Sequence, residues 1–201
     1  MNFEQIKGLL QEHNVDSDSA INDKEGAALF TCVASLSMKG EIVELGCYKG
    51  RSTIWLAIGS KLSGGEKVYA IDKFRFNEAA QKEYGNPQDS EPFFDKNIAN
   101  CKVADIVVKL KGGFSEVAKT WDRPIKLLFI DGDHTYEGTR NNYLNWEPHL
   151  IEGGMVAFHD SNSNYPGVDR VIEEFIRKSG RFTDIHSVEK LTIAKKVMTG
   201  H

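Results

Sequence analysis

Hydrophobic positions fall into short strand-like runs that alternate with longer stretches of helical spacing. Phe3, Ile6, Leu9 and Leu10 recur at helical intervals in a polar opening and predict one short amphipathic helix. Glu25–Leu36 predicts a stronger helix with small and apolar residues on one side, ended by Lys39-Gly40. Ile42, Val43 and Leu45 form a first strand. Gly46 and Gly50 bracket a tight turn, and Ser52 or Thr53 is expected to cap the next helix, whose apolar faces run from Ile54 to Leu62. Val68–Ile71 is the second strand and ends at Asp72. Residues 73–100 are polar, rich in aromatics and broken by Pro87 and Pro92, with a helix resuming from Phe93 to Cys101. So long an irregular insertion suits a lid or binding loop. Ile106–Leu110 is a third strand, Lys111-Gly112-Gly113 a turn, and Ser115–Trp121 a short helix capped by Ser115. Ile125–Ile130 reads as an apolar fourth strand, Thr139–Leu150 as a helix, and Met155–Phe158, after Gly153-Gly154, as a fifth strand. Val168–Lys178 is an amphipathic helix. The alternating runs Phe182–Val188 and Leu191–Val197, split by Glu189-Lys190, predict a hairpin.

Five strands alternating with helices, then a hairpin, predict a single α/β domain over residues 1–201. Its sheet is mostly parallel and seven-stranded, with helices on both faces and an antiparallel C-terminal hairpin. Residues 1–38 read as a helical cover on that sheet. The 201 residues suffice for one core. A net charge of −4 offers nucleic acid no general attraction. No apolar run approaches a membrane span, and the N-terminus lacks the apolar core of a signal peptide. Cys32, Cys47 and Cys101 have neither metal-clip nor redox spacing, so reduced packing cysteines and a cytoplasmic location are expected. The N-terminal helix and the aromatic insertion are candidate surfaces for a homo-oligomer.

Four strands end at or near a carboxylate: Glu44, Asp72, Asp131 and Asp160. A parallel sheet brings these ends to one edge, where buried acids are costly unless they meet cations, donors or a metal. The turn spacing is Glu-x-Gly-x-x-x-Gly, and Glu44 suits a ligand with positive charge better than a pyrophosphate. Bare N–H groups are expected around this turn, and Asp72 is placed to accept hydrogen bonds from ribose hydroxyls. Asp131 and Asp160 could share Mg²⁺ or Mn²⁺, with His159 completing the shell. His134 is a candidate general base and Asp133 its rival. His13, His149, His186 and His201 lie away from strand ends and carry no such reading.

The stretches VELGCYKGRSTIWLA, GGFSEV and LLFIDGDHTYEGTRNNYLNWEPHLIEGGMVAFHD, with the closing hairpin, resemble a class I S-adenosylmethionine-dependent methyltransferase of the small-molecule O-methyltransferase group, similar to macrocin-type and cephalosporin-type enzymes. The resemblance implies a Rossmann-like fold, an S-adenosylmethionine cofactor, divalent-metal assistance and a small-molecule hydroxyl acceptor such as a sugar, a phenol or a natural-product intermediate. It places Glu44, Gly46, Tyr48, Gly50 and Ser52 around the methionine part, Asp72 on the ribose, and Lys73 or Phe74 beside the adenine. Gly113, Phe114 and Ser115 border the adenine, Asp131 sits between cofactor and metal, and Asp160 binds the metal. Two other readings are a catalytically idle cofactor-binding subunit and an NAD-type enzyme. Glu44 and the wider glycine spacing disfavour the latter.

Overall fold

The computed structural model describes residues 1–15, 21–75 and 89–197. The expected lid falls largely on residues 76–88, outside the described residues. Two helices open the chain, α1 (Phe3–Glu12) and α2 (Asp23–Ser35). Both begin with an asparagine capping box, Asn2 with Gln5 and Asn22 with Glu25, which satisfies N–H groups that a helix start leaves orphaned. There follow β1 (Glu41–Leu45), α3 (Arg51–Ser63), β2 (Val68–Asp72), α4 (Glu91–Asn100), β3 (Val107–Lys111), α5 (Phe114–Ala118) and β4 (Ile125–Ile130). The rest is α6 (Tyr136–Trp146), β5 (Leu150–Phe158), α7 (Pro166–Val171) continued as a wider π turn over Ile172–Arg177, β6 (Phe182–Val188) and β7 (Leu191–Lys196).

The seven strands form one sheet in the order β3-β2-β1-β4-β5-β7-β6. The first five are parallel, and β7 pairs antiparallel to both β5 and β6. Alternation along the strands divides the core in two. Ile42, Leu127 and Phe129 face α1–α4 with Leu29, Val33, Trp55 and Phe94. Val43, Leu45, Leu128 and Ile130 face α5–α7 with Trp121, Tyr143, Trp146 and Ile176. Chain order reverses direction between β1 and β4, the switch point where open α/β sheets bind ligands.

Several expected boundaries move. Neither Ser52 nor Thr53 caps α3: the N-cap is Gly50 at φ 86°, and Thr53 turns inward to Glu44. Ser115 does not cap α5; Gly113 does, and the Ser115 hydroxyl accepts from Asn145. α6 starts at Tyr136, because the Thr135 hydroxyl accepts from the Gly138 N–H. β5 begins at Leu150, so Gly153-Gly154 lies within the strand. A side chain at Gly154 would meet the Lys126 and Ile151 carbonyl oxygens at 2.9 Å, so glycine serves a bulge there and not a turn. β4 is not wholly apolar: Lys126 is fully buried and its ammonium donates to Glu66 at 2.8 Å. Among the described residues no helix is long and apolar enough to cross a membrane.

Candidate active site

A cleft of about 1190 Å³ opens over the C-terminal ends of β1, β2, β4 and β5. Its floor is the turn after β1. Gly46 sits at φ 89°, and a Cβ there would lie 2.0 Å from the Asp131 carbonyl oxygen, so only glycine lets the two strand ends close. Two of the turn's N–H groups are taken by Asp72, while the start of α3 carries no side-chain cap. Asp72 Oδ2 accepts from the Cys47 and Tyr48 N–H groups at 3.0 Å, and Oδ1 accepts from the Phe74 N–H at 2.7 Å. Asp72 still borders the cleft, so its carboxylate braces the turn and keeps acceptor capacity beside the open space. Tyr48, Ser52 and Lys73 line the cleft as expected. Gly50 does not; it packs on Phe94, which a Cβ would approach to 3.0 Å. Phe74 is buried against Phe94, away from the cleft.

Glu44 lies beneath the turn and is fully buried. Thr53 donates to its Oε2 at 2.5 Å, while Oε1 has no partner. Burial pushes its pKa up to about 8 against the hydroxyls of Ser52 and Thr53, and the charges of Asp131 and Asp72 add to the rise. The unfolded chain ionises Glu44 near 4.5. Stability therefore falls as pH rises from there toward 8, because the unfolded state loses its proton first. Glu44→Gln is expected to melt at least about 4 °C above wild type at pH 8, the gap closing near pH 4. Its affinity for S-adenosylhomocysteine is expected to fall roughly tenfold. Equal melting temperatures at pH 8 would count against a buried, strained carboxylate.

Gly113, Phe114 and Ser115 form the opposite wall, as expected. The Phe114 ring fills the space a Gly132 side chain would take, 2.6 Å from that Cβ position. Glu44 itself does not line the cleft: it lies fully buried, whereas Phe114 stands on the cleft wall.

The acids and histidines converge between these walls. His134 Nε2 is 3.2 Å from Asp160 Oδ2 and 3.8 Å from Asp131 Oδ1, and its ring lies against Tyr165 at 4.4 Å. One atom each from Asp131, His134 and Asp160 falls within 4.8 Å of the others, the one such group among the described residues. Asp160 adopts φ 55°, a left-handed conformation that Asp tolerates better than most side chains. His159 Nδ1 is 3.1 Å from Asp131 Oδ1, and its Nε2 is 3.5 Å from Glu25 Oε2. Burial opposes charge on His159, but Asp131, Asp160 and Glu25 outweigh it and hold its pKa up at about 12. Burial also opposes charge on Asp131, yet the two imidazoles hold it well below the carboxylate range. His159 lies between Asp131 and Glu25, outside the group that Asp131, His134 and Asp160 form. Asp133, the rival base, also lines the cleft; its Oδ1 accepts from the Thr135 N–H at 2.9 Å and its side chain packs on Gly138.

Three residues of the site carry no local signal in the sequence. Glu25 is 2% exposed, accepts from the Asn22 and Lys190 N–H groups, and reaches His159 across 134 positions of chain. Arg51 donates to the Val15 and Ile21 carbonyls and to Asp23, holding the N-terminal cover against the cleft. Asn142 lines the same cleft as Phe114.

A seven-stranded sheet of this order, with a glycine turn over a buried acid and an acid closing β2, defines a class I S-adenosylmethionine-dependent methyltransferase. Residues 43–161 match the family model described as a methyltransferase domain, and the chain belongs to that family. Solved structures share the fold at low identity. The O-methyltransferase NovP superposes with a TM-score of 0.77 at 20% identity, over 91% of this chain and 84% of that one. An O-methyltransferase from Bacillus cereus in complex with SAH gives 0.65 at 19%, over 96% and 90%. The O-methyltransferase TomG from Streptomyces achromogenes, involved in tomaymycin synthesis and in complex with SAM, gives 0.64 at 18%, over 98% and 89%.

Proposed function

We propose that this methyltransferase acts on a hydroxyl group of a small polar molecule, with a divalent cation held by Asp131 and Asp160. The observation that carries the reading is His134 Nε2, a buried nitrogen without a hydrogen-bond partner beside two carboxylates at the cleft floor. The described wall contains amides, hydroxyls and charged groups with three aromatic rings, Tyr48, Phe114 and Tyr165, and no aliphatic side chain. Such a lining favours a hydrogen-bonding acceptor over a greasy one. NovP and TomG, which share the fold, are named as O-methyltransferases.

S-adenosylmethionine, once bound, supplies an electrophilic methyl group on a sulfonium. A cation at Asp131 and Asp160 would lower the pKa of a hydroxyl oriented there. Asp131 and Asp160 would hold Mg²⁺ or Mn²⁺ through their oxygens, which would leave His134 to take the hydroxyl proton at Nε2. Asp131 fixes His159 on one side and His134 on the other, so the floor is rigid when nucleophile and methyl are aligned.

Calorimetric titration of S-adenosylhomocysteine, with and without Mn²⁺, tests this on wild type, Asp72→Ala, Asp160→Ala and His134→Gln. Asp72→Ala is expected to lose cofactor affinity. Asp160→Ala should keep it within about threefold and lose Mn²⁺ binding, a ligand loss typically costing far more. His134→Gln should keep both. A wild type that binds S-adenosylhomocysteine but binds no Mn²⁺ would remove the cation from the mechanism, and loss of Mn²⁺ in His134→Gln would make that residue a ligand instead of the base.

A further inference from the structure

Asp160 stands at φ 55°, and its two chain neighbours are both tied to the same distant side chain. On one side, His159 is 8% exposed, and its Nδ1 lies 3.1 Å from Asp131 Oδ1 and 3.5 Å from Asp160 Oδ2. Its Nε2 makes no hydrogen bond and faces Glu25 Oε2 at 3.5 Å. On the other side, Ser161 is fully buried, and its N–H and its hydroxyl both donate to the Lys190 carbonyl at 3.0 Å. The Lys190 N–H in turn donates to Glu25 Oε1 at 2.9 Å. Both neighbours of Asp160 therefore lead back to one carboxylate.

That carboxylate is itself fixed. Glu25 borders the cleft, and its Oε2 accepts from the Asn22 N–H at 2.8 Å, closing the capping box of α2. One oxygen is thus directed at the helix start and His159, the other at the turn between β6 and β7. The helix beneath has no room to slide. A Cβ at Gly26 would lie 2.3 Å from the Trp55 indole nitrogen, so α2 presses directly on α3. The capping box alone does not explain a buried charge here. In α1 the same position is filled by an exposed glutamine, Gln5. A buried carboxylate costs stability unless it meets donors or a counter-charge, and Glu25 finds its donor 165 positions along the chain.

We propose that Glu25 is a positioning residue of the cation site, holding Asp160 from both sides through the His159 ring and the Lys190 peptide. The proposal rests on the cation reading above. Groups that stand behind a metal's ligands set their direction, and losing one typically weakens metal binding about ten- to a hundredfold. The N-terminal helices are then more than a cover: α2 carries the residue that sets the floor of the cleft, and the closing hairpin completes the hold.

The test is calorimetric titration of Mn²⁺ and, in chelator-treated buffer, of S-adenosylhomocysteine. It uses wild type, Glu25→Gln, Glu25→Leu and Leu29→Val, with melting temperatures recorded for each. Glutamine keeps the length of the side chain but has a single acceptor oxygen, so one of the two directions is lost. In whichever Glu25 variant folds, Mn²⁺ affinity should fall at least about tenfold while S-adenosylhomocysteine affinity stays within about threefold. Leu29→Val loosens the packing of the same helix and leaves the carboxylate in place. It should lower the melting temperature and keep Mn²⁺ affinity within about threefold. A folded Glu25 variant with wild-type Mn²⁺ affinity overturns the role of Glu25. An equal loss in Leu29→Val overturns it too, because any loosening of α2 would then weaken the site. A wild type that binds S-adenosylhomocysteine but no Mn²⁺ overturns the cation reading itself.

Discussion

Gly46→Ala is expected to abolish S-adenosylhomocysteine binding and to destabilise the fold by at least about 3 kcal/mol, through strain and overlap together. Two effects coincide at this position. The backbone is at φ 89°, where an L side chain is strained, and the new Cβ would sit 2.0 Å from the Asp131 carbonyl oxygen. That oxygen belongs to backbone, so it cannot swing aside as a side chain would. Relief requires β1 and β4 to part at their C-terminal ends, where the Asp131 N–H donates to the Leu45 carbonyl at 2.8 Å. The parting would move Asp131 and the turn braced by Asp72 together, so the cofactor site and the acid cluster fail at once. Gly65 supplies the control. It also has positive φ, at 77°, but a Cβ there meets nothing within 4 Å. Gly65→Ala should cost only about 1 kcal/mol and leave cofactor affinity alone. Thermal melts and calorimetry on the pair separate conformational strain from the close approach. Two variants with matching losses would sink the claim that strand closure at Gly46 builds the site.

The sheet was legible because strand-like runs and helical spacing alternate cleanly, and because parallel strands put Glu44, Asp72, Asp131 and Asp160 at one edge whatever the loops do. The family resemblance carried the assignment of Gly113, Phe114 and Ser115. What stayed hidden depends on distance along the chain or on competition for one hydrogen bond. Gly153-Gly154 has the look of a turn, and only the approach of the Lys126 carbonyl shows why a strand needs glycine there. Asp72 looked like a ribose acceptor alone, yet the N–H groups of Cys47 and Tyr48 reach it first. Lys126 interrupts an otherwise apolar strand and finds its counter-charge on Glu66, 60 positions away. Glu25 reads locally as the third residue of a capping box, the position Gln5 holds in α1, and nothing nearby announces its second partner, His159. His134 and His159 could be ranked for chemistry but not for orientation. Which ring faces the open cleft and which is wedged between carboxylates is decided by packing against Tyr165 on one side and α2 on the other.

Asp131→Asn is expected to stop methyl transfer, with a loss of at least about a hundredfold, while S-adenosylhomocysteine still binds within a few fold. The substitution keeps the shape and removes one of the two charges that both imidazoles share, Asp160 being the other. His159 Nδ1 lies 3.1 Å from Asp131 Oδ1 and His134 Nε2 lies 3.8 Å from it. The shared charge also fixes how the variant should respond to pH in chelator-treated, metal-free buffer. Asp131 has a depressed pKa in the fold, so its contribution is present above the unfolded value of 3.8 and is lost as acid protonates it. His159 is raised from 6.5 to about 12, so its contribution is complete below 6.5 and declines as pH climbs toward the folded value. Both are intact together between about pH 4 and pH 6.5, and there the wild type should gain most over Asp131→Asn. The difference in melting temperature should be largest near pH 5.5 and should shrink by pH 9, where the unfolded chain no longer holds the histidine proton. Differential scanning calorimetry across that range reads the effect directly. A gap in melting temperature that stays constant from pH 5.5 to pH 9 would mean that Asp131 supports the fold by packing alone and that the two histidines do not share its charge. Loss of Mn²⁺ binding in the same variant would extend the result from the protein's own cations to the one proposed for catalysis.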